Sequence, residues 1–208
     1  MNALPAQPVP VYLVDDEPGV RDAVAFLLTS RGMTVRSHES AASVLADLQN
    51  APRPIRGVFL LDIRMETMSG MRLHEELKAM GLRNPVLFLT GHGDVPLAVE
   101  ALKKDAFDFL EKPWGNNALA DRLEQALLVE TAMQTEGARH DERLARMASL
   151  SERERDVMRL VGAGKLNKVI AAELGVAVRT VEVHRARVFA KLGVRSAAEL
   201  ATLIALNN

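Results

Sequence analysis

A chain of 208 residues, 48% hydrophobic and 25% charged, is globular and long enough for two modest domains, and its lack of cysteine excludes disulfides and thiolate zinc sites and fits a reducing compartment. No apolar run approaches the ~20 residues that span a bilayer, and the opening Met1-Asn2-Ala3-Leu4-Pro5 lacks the basic and apolar regions of a secretion signal, so a cytoplasmic protein with no membrane partner is expected. The net charge of -1 divides unevenly: from Leu150 onward ten Lys and Arg face six Asp and Glu, +4, and the remainder carries -5, so an acidic first part precedes a basic last part suited to a polyanion.

Residues 9–14 form a β-rich apolar segment closed by Asp15-Asp16-Glu17-Pro18, and Val20, Val24, Leu27 and Leu28 then recur at helical spacing until Arg31-Gly32. A short strand is expected near 33–37, a helix over about 40–50, and a turn at Pro52 and Pro54. The run Gly57-Val58-Phe59-Leu60-Leu61-Asp62 is a buried strand ending in a carboxylate. A helix carrying Leu73, Leu77 and Met80 ends near Gly81, and a fourth strand over 85–89 is closed by Thr90-Gly91-His92-Gly93-Asp94. A helix over about 95–104 leads to a fifth strand, 107–111, with Lys112-Pro113 at its tip.

Five alternations of strand and helix predict an α/β fold, a doubly wound parallel sheet with helices on both faces. The carboxyl ends of its strands then share one edge, which gathers Asp15, Asp16, Asp62, Thr90 and Lys112. Carboxylates without thiols or paired imidazoles make a hard oxygen site suited to Mg²⁺ and phosphate. Asp62 is the candidate acceptor of a phosphoryl group, Lys112 a partner for one phosphoryl oxygen and Thr90 a donor to another. Taken singly, Asp15 and Asp62 serve equally well as turn residues, Thr90 as a helix cap and Lys112 as a solvated charge. The phosphoryl reading rests on their meeting.

Beyond the sheet, Leu119, Leu123, Ala126, Leu127 and Met133 keep a helical stripe that Gly137 and the charged residues 139–143 weaken before Leu144, Met147 and Leu150 resume it. A partly helical linker is expected over 131–148. Ser151 and Glu154 form a capping box for a helix with Val157, Leu160 and Val161 inward. Asn167 caps the next helix, which packs Ile170, Ala171 and Leu174, and Gly175 ends it. Helices over about 179–192 and 196–206 follow, and two short helices around a glycine turn suggest a helix-turn-helix. Val181, Val188 and Leu192 mark the buried side of the third helix, with Arg179, Glu182, Val183 and Ala186 on the opposite side, sized for a major groove. Thr180 and Lys168 are placed for phosphates, and Arg185, Arg187 and Lys191 add charge. The pattern alone fits a basic, solvated helix equally well.

The segments VYLVDDEPG, LLDIRM, FLTGHGDVP and DFLEKP resemble the receiver domain of bacterial two-component response regulators, over residues 8–130. The resemblance implies that Asp62 is the phosphoacceptor, that Asp15 and Asp16 form the acidic pocket with Asp16 the direct metal ligand, and that Arg64 lends its backbone carbonyl to Mg²⁺ or Mn²⁺. Thr90 and Phe109 become switch residues; from spacing alone, Phe109 is equally a plain core residue. Glu66 departs from the usual proline and Trp114 from the commoner phenylalanine, while Arg64 and His92 flank the phosphoryl position. SERERDVMRLVGAG, NKVIAAEL and RTVEVHRARVFAKLGV resemble the LuxR-type DNA-binding domain, over residues 149–208, so the two halves together look like a FixJ/NarL-type response regulator. His184 matches a histidine that approaches the DNA backbone, and Glu182 stands where many relatives have lysine, favouring a cytosine amino group instead.

The implied function is a transcription factor phosphorylated by a sensor histidine kinase, dimerising on phosphorylation and binding double-stranded promoter DNA. It is a regulatory protein, catalysing only its own phosphorylation and dephosphorylation. Two alternatives are a Mg²⁺-dependent phosphate-ester hydrolase, which needs an acid where Arg64 stands, and a signalling adaptor that makes only protein contacts.

Overall fold

A computed structural model describes residues 8–91, 99 and 102–206. Its elements are β1 (Pro10–Val14), α1 (Pro18–Ser30), β2 (Thr34–His38), α2 (Ala41–Asn50), β3 (Val58–Asp62), α3 (Gly70–Ala79), β4 (Val86–Thr90), β5 (Asp108–Glu111), α4 (Asn116–Ala148), α5 (Glu152–Gly162), α6 (Asn167–Leu174), α7 (Val178–Leu192) and α8 (Ala197–Ala205). His92 and most of the helix expected over 95–104 lie outside the described residues. The chain divides into two compact units, the first ending at Gln134 and the second starting at Thr135.

In the first unit five parallel strands take the order β2-β1-β3-β4-β5. Every residue of β1, β3 and β4 is buried, as their continuous apolar runs require when helices cover both faces. Alternation divides them: Tyr12, Val14, Phe59, Leu61 and Phe88 pack against α2 and α3 through Val44, Leu48, Leu73 and Leu77. Val11, Leu13, Val58, Leu60, Leu87 and Leu89 pack against α1 and α4 through Val24, Leu28, Leu119 and Leu123. The edge strand β2 is mostly exposed, and β5 is half-buried with an exposed tip.

Serine side chains start two of the covering helices: Ser40 Oγ accepts the Ser43 N–H and Ser69 Oγ that of Arg72, each at 3.2 Å. Gly70 is needed for a close approach. Its N–H donates to Ile63 O at 3.0 Å, and a Cβ there would collide with the carbonyl of Asp62. Deeper down, Arg56 makes a two-point contact with the buried Glu130 carboxylate, at 3.0 and 3.3 Å.

α4 is helical throughout its 33 residues, so the segment 131–148, expected to be partly helical, is helical to Ala148. A helical Gly137 costs about 1 kcal/mol against Ala. An ion pair of Glu136 with Arg143 (3.2 Å) spans it, and an i,i+4 pair of Glu142 with Arg146 (2.7 Å) supports the helix after it.

The second unit packs Leu150, Val157, Val161, Ile170, Val181, Val188, Leu192 and Leu200 into one core. The capping box of Ser151 and Glu154 is present in both directions. Asn167 is not the cap of α6; Leu166 holds that position without a side-chain bond, and Asn167 Oδ1 instead accepts from Arg185 at 3.0 Å. The long Arg185 side chain reaches back from α7, and that tertiary bond displaces the local one. Gly175 closes α6 at φ 66°, a left-handed conformation natural to glycine.

Candidate functional site

Because all strands run parallel, β1, β3, β4 and β5 deliver their last residues to one edge. Asp62 ends the central strand β3 and is 5% exposed. Its Oδ1 accepts from Lys112 Nζ at 2.7 Å and its Oδ2 from the Arg64 N–H at 2.8 Å. Asp15, fully buried, accepts from the Glu17 N–H (2.9 Å) and from Lys112 Nζ (3.3 Å). Asp16 is more accessible, and its Oδ2 accepts the N–H of Glu66 at 3.0 Å.

Burial pushes the Asp62 carboxyl above its ordinary range, against the bonds and charge of Lys112, and the Asp15 charge pushes in the same direction. For Lys112, burial alone would lower the pKa. The bonds and charges of Asp62 and Asp15 outweigh it and hold the ammonium above its usual value. The result is a carboxylate kept short of solvation with a fixed cation as its counter-charge. The Lys112 N–H also donates to Thr90 O at 2.7 Å, tying the tip of β5 to that of β4.

Thr90 is fully buried, and its Oγ1 has no hydrogen-bond partner among the described residues. Leaving a buried hydroxyl unpaired costs about 1–3 kcal/mol, and the cost has a functional account if an acceptor arrives at this edge. Phe109 is half-buried, opposite Phe88 in the sheet and against the cluster under α2 and α3. Trp114 stacks its ring 5.9 Å from Lys112 Nζ.

Asp15, Asp16 and Asp62 do not converge into a ready cage: among the described residues no three carboxylate or imidazole groups are grouped to hold a metal ion. Lys112 lies between Asp15 and Asp62, and Asp16 is turned to the Glu66 amide. The donors nevertheless suit Mg²⁺, which keeps most of its water and asks for one or two carboxylates together with phosphate oxygens. Asp16 and Asp62, offering only oxygen, fit that requirement.

In the second unit the candidate contacts divide by their partners. Lys168, Thr180, Val183, Ala186 and Arg187 are exposed, and Lys168 and Arg187 have no side-chain partner among the described residues. Arg179 and Glu182, also exposed, pair with each other at 3.1 Å on the outer face of α7. His184 and Arg185 are half-buried; His184 Nδ1 lacks a hydrogen-bond partner among the described residues, and Arg185 binds Asn167 and lies 5.1 Å from the Phe189 ring. Lys191, expected to add charge toward phosphates, is engaged within the unit by Glu154 Oε2 (2.6 Å) and Ser149 O (3.0 Å). Several groups carry no local sequence signal: the Glu66 amide on Asp16, the Arg21 guanidinium on Asp15 O (2.8 Å), and the pairing of Lys191 with Glu154. The first and the last join residues fifty and thirty-seven positions apart, too far for spacing to reveal.

Comparison with known proteins agrees with this architecture. The family described as response regulator receiver domain matches residues 11–124, and the bacterial regulatory proteins of the luxR family match residues 148–204. The C4-dicarboxylate transport transcriptional regulatory protein DctR of Rhodobacter capsulatus is 47% identical over 195 residues, 93% of this chain and 98% of the relative. The transcriptional regulatory protein FixJ of Rhizobium meliloti is 44% identical over 186 residues, 89% of this chain and 90% of the relative. Among solved structures, the response regulator StyR is 38% identical with a TM-score of 0.84, covering 94% of this chain and 98% of that one. Full-length FixJ from B. japonicum is 41% identical with a TM-score of 0.58, at 94% and 95% coverage. No helix among the described residues is long and apolar enough to cross a membrane. With a receiver sheet whose edge carries an acid beside a lysine, a LuxR-type helical unit after it and relatives matched over nearly their whole length, the chain belongs to the two-component response regulators of the FixJ/NarL type, transcription regulators controlled by phosphorylation.

Proposed function

We propose that Asp62 is the phosphoacceptor of this regulator and that a sensor histidine kinase is the donor. One carboxylate oxygen of Asp62 attacks phosphorus, the bond from phosphorus to the kinase histidine breaks, and an aspartyl phosphate forms. Lys112, already 2.7 Å from Asp62 Oδ1, passes to a phosphoryl oxygen, and the unpaired Thr90 hydroxyl donates to another. Asp16, Asp62 and the Arg64 carbonyl would hold Mg²⁺, with Asp15 beside them, and the ion would offset the charge of the carboxylates and the incoming phosphate. The observation that carries this reading is the buried Asp62 carboxylate with its lysine counter-ion at the end of a central strand.

The receiver then promotes dimerisation, with Thr90 and Phe109 as switch residues, and paired α7 helices read promoter DNA. Arg179, Glu182, Val183 and Ala186 face the bases, while Lys168, Thr180, His184, Arg185 and Arg187 hold phosphates. A swing from 1:99 to 99:1 between two states requires about 5.5 kcal/mol of differential interaction. Asp62→Asn is expected to abolish phosphate incorporation from a small phosphodonor with Mg²⁺; undiminished labelling removes Asp62 from this role. Lys168→Ala should weaken binding to all duplexes and flatten its salt dependence, whereas Val183→Ala should change sequence preference. If neither changes retention on DNA, the assignment of α7 fails.

A further inference from the structure

Each carboxylate at the strand tips accepts one backbone amide. For Asp15 and Asp62 the donor is two residues on in the same loop: Glu17 N–H at 2.9 Å and Arg64 N–H at 2.8 Å. Asp16 differs. Its Oδ2 accepts the N–H of Glu66 at 3.0 Å, fifty positions away, which ties the loop after β1 to the loop after β3. The β3–α3 loop is itself closed at its far end, where Gly70 N–H donates to Ile63 O at 3.0 Å. The Glu66 amide is thus presented by a segment anchored on both sides, not by a free strand of chain. A proline at this position would have no N–H and could not make this bond.

We propose that the backbone N–H of Glu66 is a positioning group for the divalent cation. It holds Asp16 by one oxygen and leaves the other to the metal. A carboxylate fixed in this way gives up little rotamer freedom when it captures an ion, and partners of ligating carboxylates are often worth 10- to 100-fold in affinity. The inference rests on Asp16 being a ligand, as proposed above. It also couples two events chemically, since the loop that steadies Asp16 is the one leaving Asp62.

The test uses the full chain and its single tryptophan, Trp114, whose ring lies 5.9 Å from Lys112 Nζ and so reports on the pocket. Mg²⁺ is titrated against the fluorescence of the natural protein, Glu66→Ala, Glu66→Pro and Asp16→Asn. Both changes at 66 remove the carboxylate, but only proline removes the amide. Glu66→Pro is expected to bind Mg²⁺ about tenfold more weakly than Glu66→Ala, near the lower end of the range for such partners. Equal dissociation constants for the two overturn the proposal. Asp16→Asn separates the layers: if it leaves the Mg²⁺ titration unchanged, Asp16 is no ligand and the underlying reading fails, whereas a weakened Asp16→Asn with matching variants at 66 removes only the amide's role. Should Glu66→Pro not fold, amide exchange decides. In Asp16→Ala the Glu66 N–H should exchange about tenfold faster while the Arg64 N–H is unaltered, as expected for loss of one local hydrogen bond. Unchanged exchange at Glu66 refutes the latch.

Discussion

Gly70→Ala tests whether the approach of α3 to the end of β3 is rigid. The Cβ it introduces would lie 3.0 Å from the carbonyl carbon of Asp62 and 3.3 Å from Ile63 Cα, and closer still to the Asp62 carbonyl oxygen. All three are backbone atoms of the central strand or the residue after it. Relief requires the first turn of α3 to back away, stretching the Gly70 N–H bond to Ile63 O. Overpacking of this kind costs about 1–3 kcal/mol and the lost bond about 1 more, so a loss of about 3 kcal/mol is expected. Gly162→Ala is the control: its Cβ meets Ile204 Cδ1 at 2.5 Å, the far end of a side chain that can rotate, and the gain in helix propensity offsets up to about 1 kcal/mol. Urea unfolding of Gly70→Ala is followed by Trp114 fluorescence, which reports on the first unit, and unfolding of Gly162→Ala by far-UV circular dichroism. With a slope of about 2 kcal/mol/M, Gly70→Ala should lower the midpoint by roughly 1.5 M and Gly162→Ala should barely move it. Labelling of Asp62 should slow in the first variant, since its backbone is displaced. A Gly70→Ala protein within about 0.5 kcal/mol of the natural chain, where surface changes normally fall, would refute the reasoning.

Two predictions concern pH. His74 is buried against Phe88, and its pKa is lowered by burial first and then by the Lys78 charge, while Asp105 and Glu75 pull the other way. A lowered folded pKa means the unfolded chain takes up the proton first, so stability is complete above the ordinary value of 6.5 and is lost as pH falls below it. His74→Leu should flatten the slope of urea midpoints between about pH 7 and 5.5, leaving a residue from His38, which burial also lowers. Glu154 is held down to about 2 by the hydrogen bond from Lys191 and then by the Ser151 N–H. Its contribution is present above the ordinary value of 4.5 and is lost as pH falls through that value toward 2, so Glu154→Gln should remove the acid sensitivity of the second unit in this window, read by circular dichroism. Because Lys191 is engaged by Glu154, Lys191→Met should leave the salt slope of DNA binding unchanged; a flatter slope would return Lys191 to the phosphate contacts.

The three central strands were legible because burial on both faces demands continuous apolar runs, and 11–14, 58–61 and 86–89 supply them. The meeting of Asp15, Asp62 and Lys112 followed from parallel strands sharing one edge. Gly137 pointed to a weakened helix, but charge pairs beside it lie along a helix that continues. Asn167 has the chemistry of a cap, yet a guanidinium from another helix claims its oxygen. Lys191 reads as a surface cation because nothing local announces the buried carboxylate opposite. For Asn167 and Lys191 a long-range polar bond decided between outcomes that local spacing leaves equal.

The wholly enclosed middle of the sheet has a consequence for how this regulator can diversify. Positions 58–61 give both faces to the interior, so most replacements there would be rejected by quality control before any signalling defect could be scored. Along β3 only the terminal residue and the loop beyond it are at liberty to vary in chemistry. A saturation-mutagenesis screen should therefore find two kinds of intolerance along the same strand, low abundance for the body and normal abundance with lost output for the tip.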